Sequence, residues 1–171
     1  MITMTAPRTE WIKTEELTFD QEEVKKVLES LDKNQEFTVE QLLYYPYYFF
    51  EYKLERRSLL QPKGGGSVGC AMDAVNKVGS VIDKSPVFTE KEVPSQQMIP
   101  VELEETEAKK LAVDFLNHSI TYRMKILAPP QMKLTRSEIF YRPYWVAEGT
   151  KAAPDGYTLI VDAISGKYHP L

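Results

Sequence analysis

A glycine tract, two recurring aspartates and two recurring glutamates are the residues whose type and spacing could carry chemistry in this chain. Gly64, Gly66 and Gly69 satisfy G-x-G-x-x-G, the pattern in which a glycine loop holds a dinucleotide's phosphates between a buried strand and a helix N-terminus. The flanks do not supply those elements, because residues 55–63 are polar and basic with Leu59 and Leu60 as their only apolar members. A flexible turn that uses glycine's conformational freedom accounts for the tract, and no cofactor is expected. Asp73 and Asp162 each close an apolar stretch just ahead of Asn76 or Gly166. A carboxylate there bonds the N–H groups of its own turn, a structural role. Glu51 and Glu148 fall in mid-strand, where a buried carboxylate needs a partner. General acid or base work by either would require a neighbouring group to share the proton, and no adjacent histidine or serine supports it. His118, His169 and Cys70 are far apart. They give no metal-ligand spacing and no nucleophile–histidine set, so neither catalytic nor metal residues are expected.

Aromatic residues are the stronger lead. Tyr44, Tyr45, Tyr47 and Tyr48, with Tyr141, Tyr144 and Trp145, combine apolar area with a polar handle, as anchors of protein interfaces do. Tyr47, Tyr48, Glu51, Tyr144, Trp145 and Glu148 are therefore the candidate binding residues; packing across strands is the plainer role for the same side chains.

The elements that must position these residues occur twice. Residues 44–51, Tyr-Tyr-Pro-Tyr-Tyr-Phe-Phe-Glu, reappear 97 positions later as Tyr-Arg-Pro-Tyr-Trp-Val-Ala-Glu at 141–148. Cys-Ala-Met-Asp-Ala-Val-Asn at 70–76 is echoed 89 positions later by Leu-Ile-Val-Asp-Ala-Ile-Ser at 159–165. Each pair reads as a proline-led strand, a loop and a strand ending in Asp-Ala, which is a β-hairpin. A helix precedes each hairpin, at an offset of 84. In the first, Asp20 is the N-cap with Glu23 three residues on, Phe19 is placed to staple against Val24, and Val24, Val27, Leu28 and Leu31 form the stripe. In the second, Ala108, Leu111, Ala112, Phe115 and Leu116 form the stripe. That helix is expected to end near Asn117 and His118, with a private strand over residues 119–127.

The second copy, Glu-Glu-Thr-Glu-Ala-Lys-Lys-Leu-Ala at 104–112 with Tyr-Trp-Val-Ala-Glu at 144–148 and Gly-Tyr-Thr-Leu-Ile-Val-Asp-Ala-Ile-Ser-Gly-Lys at 156–167, resembles a PepSY-like module. The first copy resembles it more faintly, with Lys77 in the place of Gly166. The resemblance implies an α+β, cystatin-like arrangement and a non-catalytic role in regulating a partner, often a peptidase, near the cell envelope.

The sequence thus predicts an N-terminal arm (1–18), a first helix-plus-hairpin unit (19–84), a linker (85–102) rich in proline and charge, and a second unit (103–171). The expected fold is α+β, two similar units each with a helix packed on its own small antiparallel sheet. A net charge of −4 gives no pull toward nucleic acid. No apolar run is long enough to insert in a membrane, and residues 1–20 do not read as a signal peptide. The chain as given is expected in the cytoplasm, with cell-envelope association if a leader was removed. The functional expectation is a non-enzymatic protein-interaction or regulatory module, with an unidentified protein or a second copy as partner. The alternative is a small-ligand binder or enzyme with a tyrosine-lined pocket between helix and sheet.

Overall fold

A computed structural model describes residues 6–55, 66–125, 130–149 and 157–171. Its strands are β1 (Thr9–Thr14), β2 (Phe37–Glu55), β3 (Gly66–Asp73), β4 (Gly79–Ile82), β5 (Thr89–Pro94), β6 (Gln131–Gly149), β7 (Tyr157–Asp162) and β8 (Tyr168–Pro170); its helices are α1 (Gln21–Leu31) and α2 (Glu105–Met124). Both hairpins form in the same register. Tyr47 lies opposite Asp73 on β2 and β3, and its counterpart Tyr144 lies opposite Asp162 on β6 and β7.

The expected fold class is corrected. Half of the described residues are strand and 23% helix, and the strands join in one hydrogen-bonded order, β4-β3-β2-β6-β1-β5, with β7 on β6 and β8 on β7. The sheet is mixed, because Thr14 on β1 pairs in parallel with Tyr141 on β6. Two separate helix-on-small-sheet units do not describe it.

The chain falls into two compact units that interleave along the sequence: Met1–Tyr45 with Phe88–Ile99 and Tyr141–Leu171, and Pro46–Val87 with Pro100–Phe140. The division at 19–84 and 103–171 therefore differs from the units of the fold. In the first unit, Val24 and Leu28 of α1 pack with Phe37 and Val39 of β2 and with Trp145, Ala147, Leu159 and Val161 of the second hairpin. In the second unit, Ala108, Ala112 and Leu116 of α2 pack on Tyr48, Phe50, Tyr52, Cys70 and Met72 of the first hairpin. Each helix covers the other repeat's hairpin.

Strand length is the reason. α1 hands over to β2 through residues 32–36, so it must lie by the start of β2, whereas β3 pairs only from Tyr47 onward. Ten residues of strand span roughly 33 Å, and a helix of 11 residues reaches about 16 Å. The strand beside the start of β2 is the far half of β6, and that is where α1 finds apolar surface.

Within the residues assigned to arm and linker, 9–14 and 89–94 form strands. β1 and β5 pair antiparallel, from Thr9 opposite Pro94 to Thr14 opposite Thr89. Ile12 and Val93 are their buried members, in a small core with Tyr44 and Tyr141. With one buried apolar residue apiece, Thr-Glu-Trp-Ile-Lys-Thr and Thr-Glu-Lys-Glu-Val-Pro carry almost no alternation to read.

The helix starts follow chemistry unequally. Asp20 and Glu23 form the capping box, the Glu23 N–H donating to Asp20 Oδ1 at 2.8 Å and the Asp20 N–H to Glu23 Oε2 at 2.9 Å. Glu104 caps α2 without a side-chain bond. Of the expected α1 stripe, Val24 and Leu28 are buried, while Val27 and Leu31 are exposed. α2 runs past His118 to Met124, so the strand expected over 119–127 is helical through residue 124, and residues 126–129 lie outside the described ones. Ile120 is buried four residues after Leu116, prolonging the apolar stripe by a turn; no breaker intervenes before Pro129. No helix among the described residues is long and apolar enough to cross a membrane.

Candidate functional site

Asp73 and Asp162 build matching turns. Asp73 Oδ1 accepts from the N–H groups of Val75 and Asn76, both at 2.8 Å. Asp162 Oδ1 accepts from Ile164 N–H at 2.9 Å and Ser165 N–H at 3.4 Å. One residue further on, Ala74 and Ala163 donate to the carbonyls of the buried Pro46 and Pro143, each at 3.1 Å. The turns close through Lys77 and Gly166, both in the left-handed region at φ +61° and +74°. Lys77 thus takes the conformation that glycine holds in the other copy, with Gly79 in β4 rather than in the turn.

The same alanines tie each hairpin to the helix above it. The N–H groups of Thr18 and Phe19 donate to Ala163 O, and those of Glu102 and Leu103 to Ala74 O. Tyr48 and Trp145, candidate binding residues in counterpart positions, complete the tie. Tyr48 Oη donates to Leu103 O at 2.8 Å, and Trp145 Nε1 to Phe19 O at 2.9 Å. Burial, reinforced by the fields of Glu105 and Glu104, raises the Tyr48 pKa and keeps that donor protonated. These two aromatics are structural clamps on the helix-facing side of the sheet.

Tyr47, Glu51, Tyr144 and Glu148 stand on the other side, by the alternation of the strands. Tyr144 meets Tyr45 edge-on at 6.1 Å, and Tyr47 stacks on Phe140 at 5.5 Å. Glu51 accepts from Ser85 Oγ, and Glu148 is exposed. Under each helix the space is occupied by apolar side chains. The two glutamates are therefore not in a pocket between helix and sheet. Of the glycine pattern, Gly66 and Gly69 lie in β3, a hairpin strand followed by β4; Gly64 is outside the described residues. A Cβ on Gly69 would come 3.0 Å from Phe49 Cε2 and 3.1 Å from Ile82 O, so close packing is the reason for glycine there.

One charged cluster was not read from the sequence. Arg142 donates through Nε at 3.0 Å and through an Nη at 2.8 Å to Asp162 Oδ2, with Glu15 at 3.5 Å. Burial works against the Asp162 carboxylate, but the Arg142 guanidinium and the turn's N–H groups outweigh it and hold its pKa below the usual value. Arg142 replaces Tyr45 of the first copy, which was the available signal. Glu15 is brought in only because β1 joins β6. Beyond it a surface cleft of about 310 Å³ is lined by residues including Thr14, Glu15, Glu16, Tyr44 and Lys91. Among the described residues, no group of three or more histidine, cysteine, aspartate or glutamate side chains is placed to hold a metal ion.

On the face of the first unit that points away from α1, Trp11 follows the parity of Glu15, opposite to that of the buried Ile12. It is 70% exposed, and Arg142, Tyr144 and Tyr45 share its face. Fold and site together define a mixed-sheet protein with two hairpins of recurring sequence, each covered by the helix that precedes the other. No protein-family model, curated protein or solved structure matches the chain.

Proposed function

We propose that this protein is a non-catalytic interaction module that binds another protein through the helix-free side of its first unit. The observation that carries this reading is Trp11, a large aromatic left 70% exposed on a strand, on the same face as the Tyr45–Tyr144 pair. Tryptophan and tyrosine gain most from burial against a partner, because they add large area at small entropic cost. The PepSY-like pattern at 104–112, 144–148 and 156–167 supports a regulatory partner, with a peptidase at the cell envelope as the class it implies. The protein acts outside the bilayer in this reading.

Capture from an extract of the native host, with wild type and Trp11→Ala compared, tests the proposal. The expected result is a stoichiometric co-purifying protein that the variant retains at least tenfold less well, with unchanged thermal unfolding. A captured set identical for both proteins would overturn the role of this face.

A further inference from the structure

Trp11 has a carboxylate for a neighbour. The pairing of β1 with β5 sets it directly opposite Glu92, which brings the two β-carbons to about 5 Å. The Glu92 side chain lies on the tryptophan's side of the strand pair, because Thr9, two residues before Trp11, donates from Oγ1 to Glu92 Oε1 at 2.5 Å. Glu90 shares that side and has Lys13 opposite it, and Glu15 is engaged by Arg142. Among the described residues no lysine or arginine pairs with Glu92 and no cation lies over the Trp11 ring. The patch therefore keeps one uncompensated carboxylate beside an exposed indole.

The second unit shows what an aromatic ring and a carboxylate take between them. Its Phe49 points away from the helix-facing Tyr48 and Phe50, and the Arg136 guanidinium sits 4.9 Å from the centre of the Phe49 ring. Arg136 Nε donates to Glu138 Oε2, and Nη1 donates to Pro86 O at 3.1 Å. The electron-rich ring face attracts the cation, while the carboxylate neutralises its charge and accepts an N–H in the guanidinium plane. Trp11 and Glu92 supply the same two parts on a solvent-facing surface, and an indole attracts a cation more strongly than a phenyl ring does.

We propose that Trp11 and Glu92 form a recognition site for an arginine side chain of a partner protein, the guanidinium stacked on the indole and bonded to the Glu92 carboxylate. Charge complementarity selects a cation here and repels an acidic segment. Geometry selects arginine over lysine: the planar guanidinium lies flat on the ring while its edge offers N–H groups to the carboxylate, whereas an ammonium is a more strongly hydrated point charge that does not stack. This inference rests on the interaction reading above and names the chemistry of the partner at that same face.

The probe is the peptide acetyl-Gly-Arg-Gly-Arg-Gly-amide, titrated into the isotope-labelled full-length protein and followed by NMR. Trp11 and Trp145 are the chain's two tryptophans, and the Trp145 indole, bonded to Phe19 O, is the internal control. Saturable shifts of the Trp11 indole and of the Thr9 and Glu92 amides are expected, with Trp145 unmoved. Lysine in place of both arginines should weaken binding roughly threefold or more, and citrulline, which keeps the shape without the charge, should abolish it. Trp11→Leu and Glu92→Gln should each weaken it roughly threefold or more; both positions are exposed, and unaltered thermal unfolding checks the fold of the variants. Equal binding of the lysine or citrulline peptide, an unmoved Trp11 indole, or wild-type affinity in either variant would overturn the proposal. If host-protein capture depends on Trp11 while the arginine peptide does not bind, the interaction reading survives and the arginine site is wrong. If the peptide binds as described while no host protein is captured, the arginine site stands and the interaction reading fails.

Discussion

Asp162 and Asp73 do the same work with unequal support. Both hold a turn through N–H groups two and three residues ahead, but Asp162 also holds Arg142 and accepts from Ser165 Oγ at 2.9 Å. Asp73→Ala should cost about 1 kcal/mol and Asp162→Ala about 2–3 kcal/mol, since Asp162 bonds the Arg142 guanidinium as well as its turn and its removal leaves Arg142 with Glu15 at 3.5 Å; urea denaturation of the two variants measures the gap. The Asp162 pKa is depressed in the folded protein, below an unfolded value of about 3.9. Its contribution is therefore complete above that value and lost as pH falls through the folded pKa. The stability difference between wild type and Asp162→Asn should stay level above about pH 5 and shrink as pH falls below about 4. Cys70, the only cysteine, is buried as its burial tendency leads one to expect. Burial pushes its thiol up to about 11, so a thiol reagent at pH 8 should label it at the rate of unfolding, and label it promptly in urea. The turn aspartates were legible because their role is local. The Arg142–Glu15 contact was not, since nothing in either residue's neighbourhood announces the other.

At the scale of elements, the turn between β3 and β4 differs from its counterpart by one side chain in a strained conformation. Lys77 has φ +61°, where any residue with a Cβ is crowded. Lys77→Gly should raise stability by about 0.5–1 kcal/mol, read as a higher urea midpoint at unchanged slope; its ion pair with Glu107 is exposed and weighs little. Gly166→Ala should do the opposite and lose about 1–2 kcal/mol, because φ is +74° and the new Cβ would also stand 3.0 Å from Phe19 Cζ. Hairpins and the α1 capping box were readable, as each rests on residues close in sequence. The end of α2 was misread because His118 resembles a terminus while the buried stripe runs on to Ile120. β1 and β5 were missed because strands with one buried apolar side chain look like linkers.

For the molecule as a whole, the exchange of helices between repeats governs what can fold alone. A fragment of residues 19–84 keeps α1 and the first hairpin but loses α2, which covers that hairpin, and the second hairpin, which α1 covers. Such a monomer should show no cooperative unfolding transition, and neither should residues 103–171; mixing fragments 1–84 and 85–171 should restore the transition, with circular dichroism as the readout. A cooperative, monomeric 19–84 would contradict the interleaved units. The amino-acid sequence alone showed the recurrence of 44–51 at 141–148 and of 70–76 at 159–165, the two hairpins with their turn aspartates and the starts of both helices, since propensity, alternation and capping act over a few residues. Only the tertiary structure decided which helix covers which hairpin, that residues 9–14 and 89–94 are strands, and that Tyr48 and Trp145 face inward while Trp11 stays in solvent. The first of those outcomes depends on how far a 19-residue strand carries its hairpin from the helix before it, and the others on pairings between segments distant in sequence, neither of which a local pattern expresses.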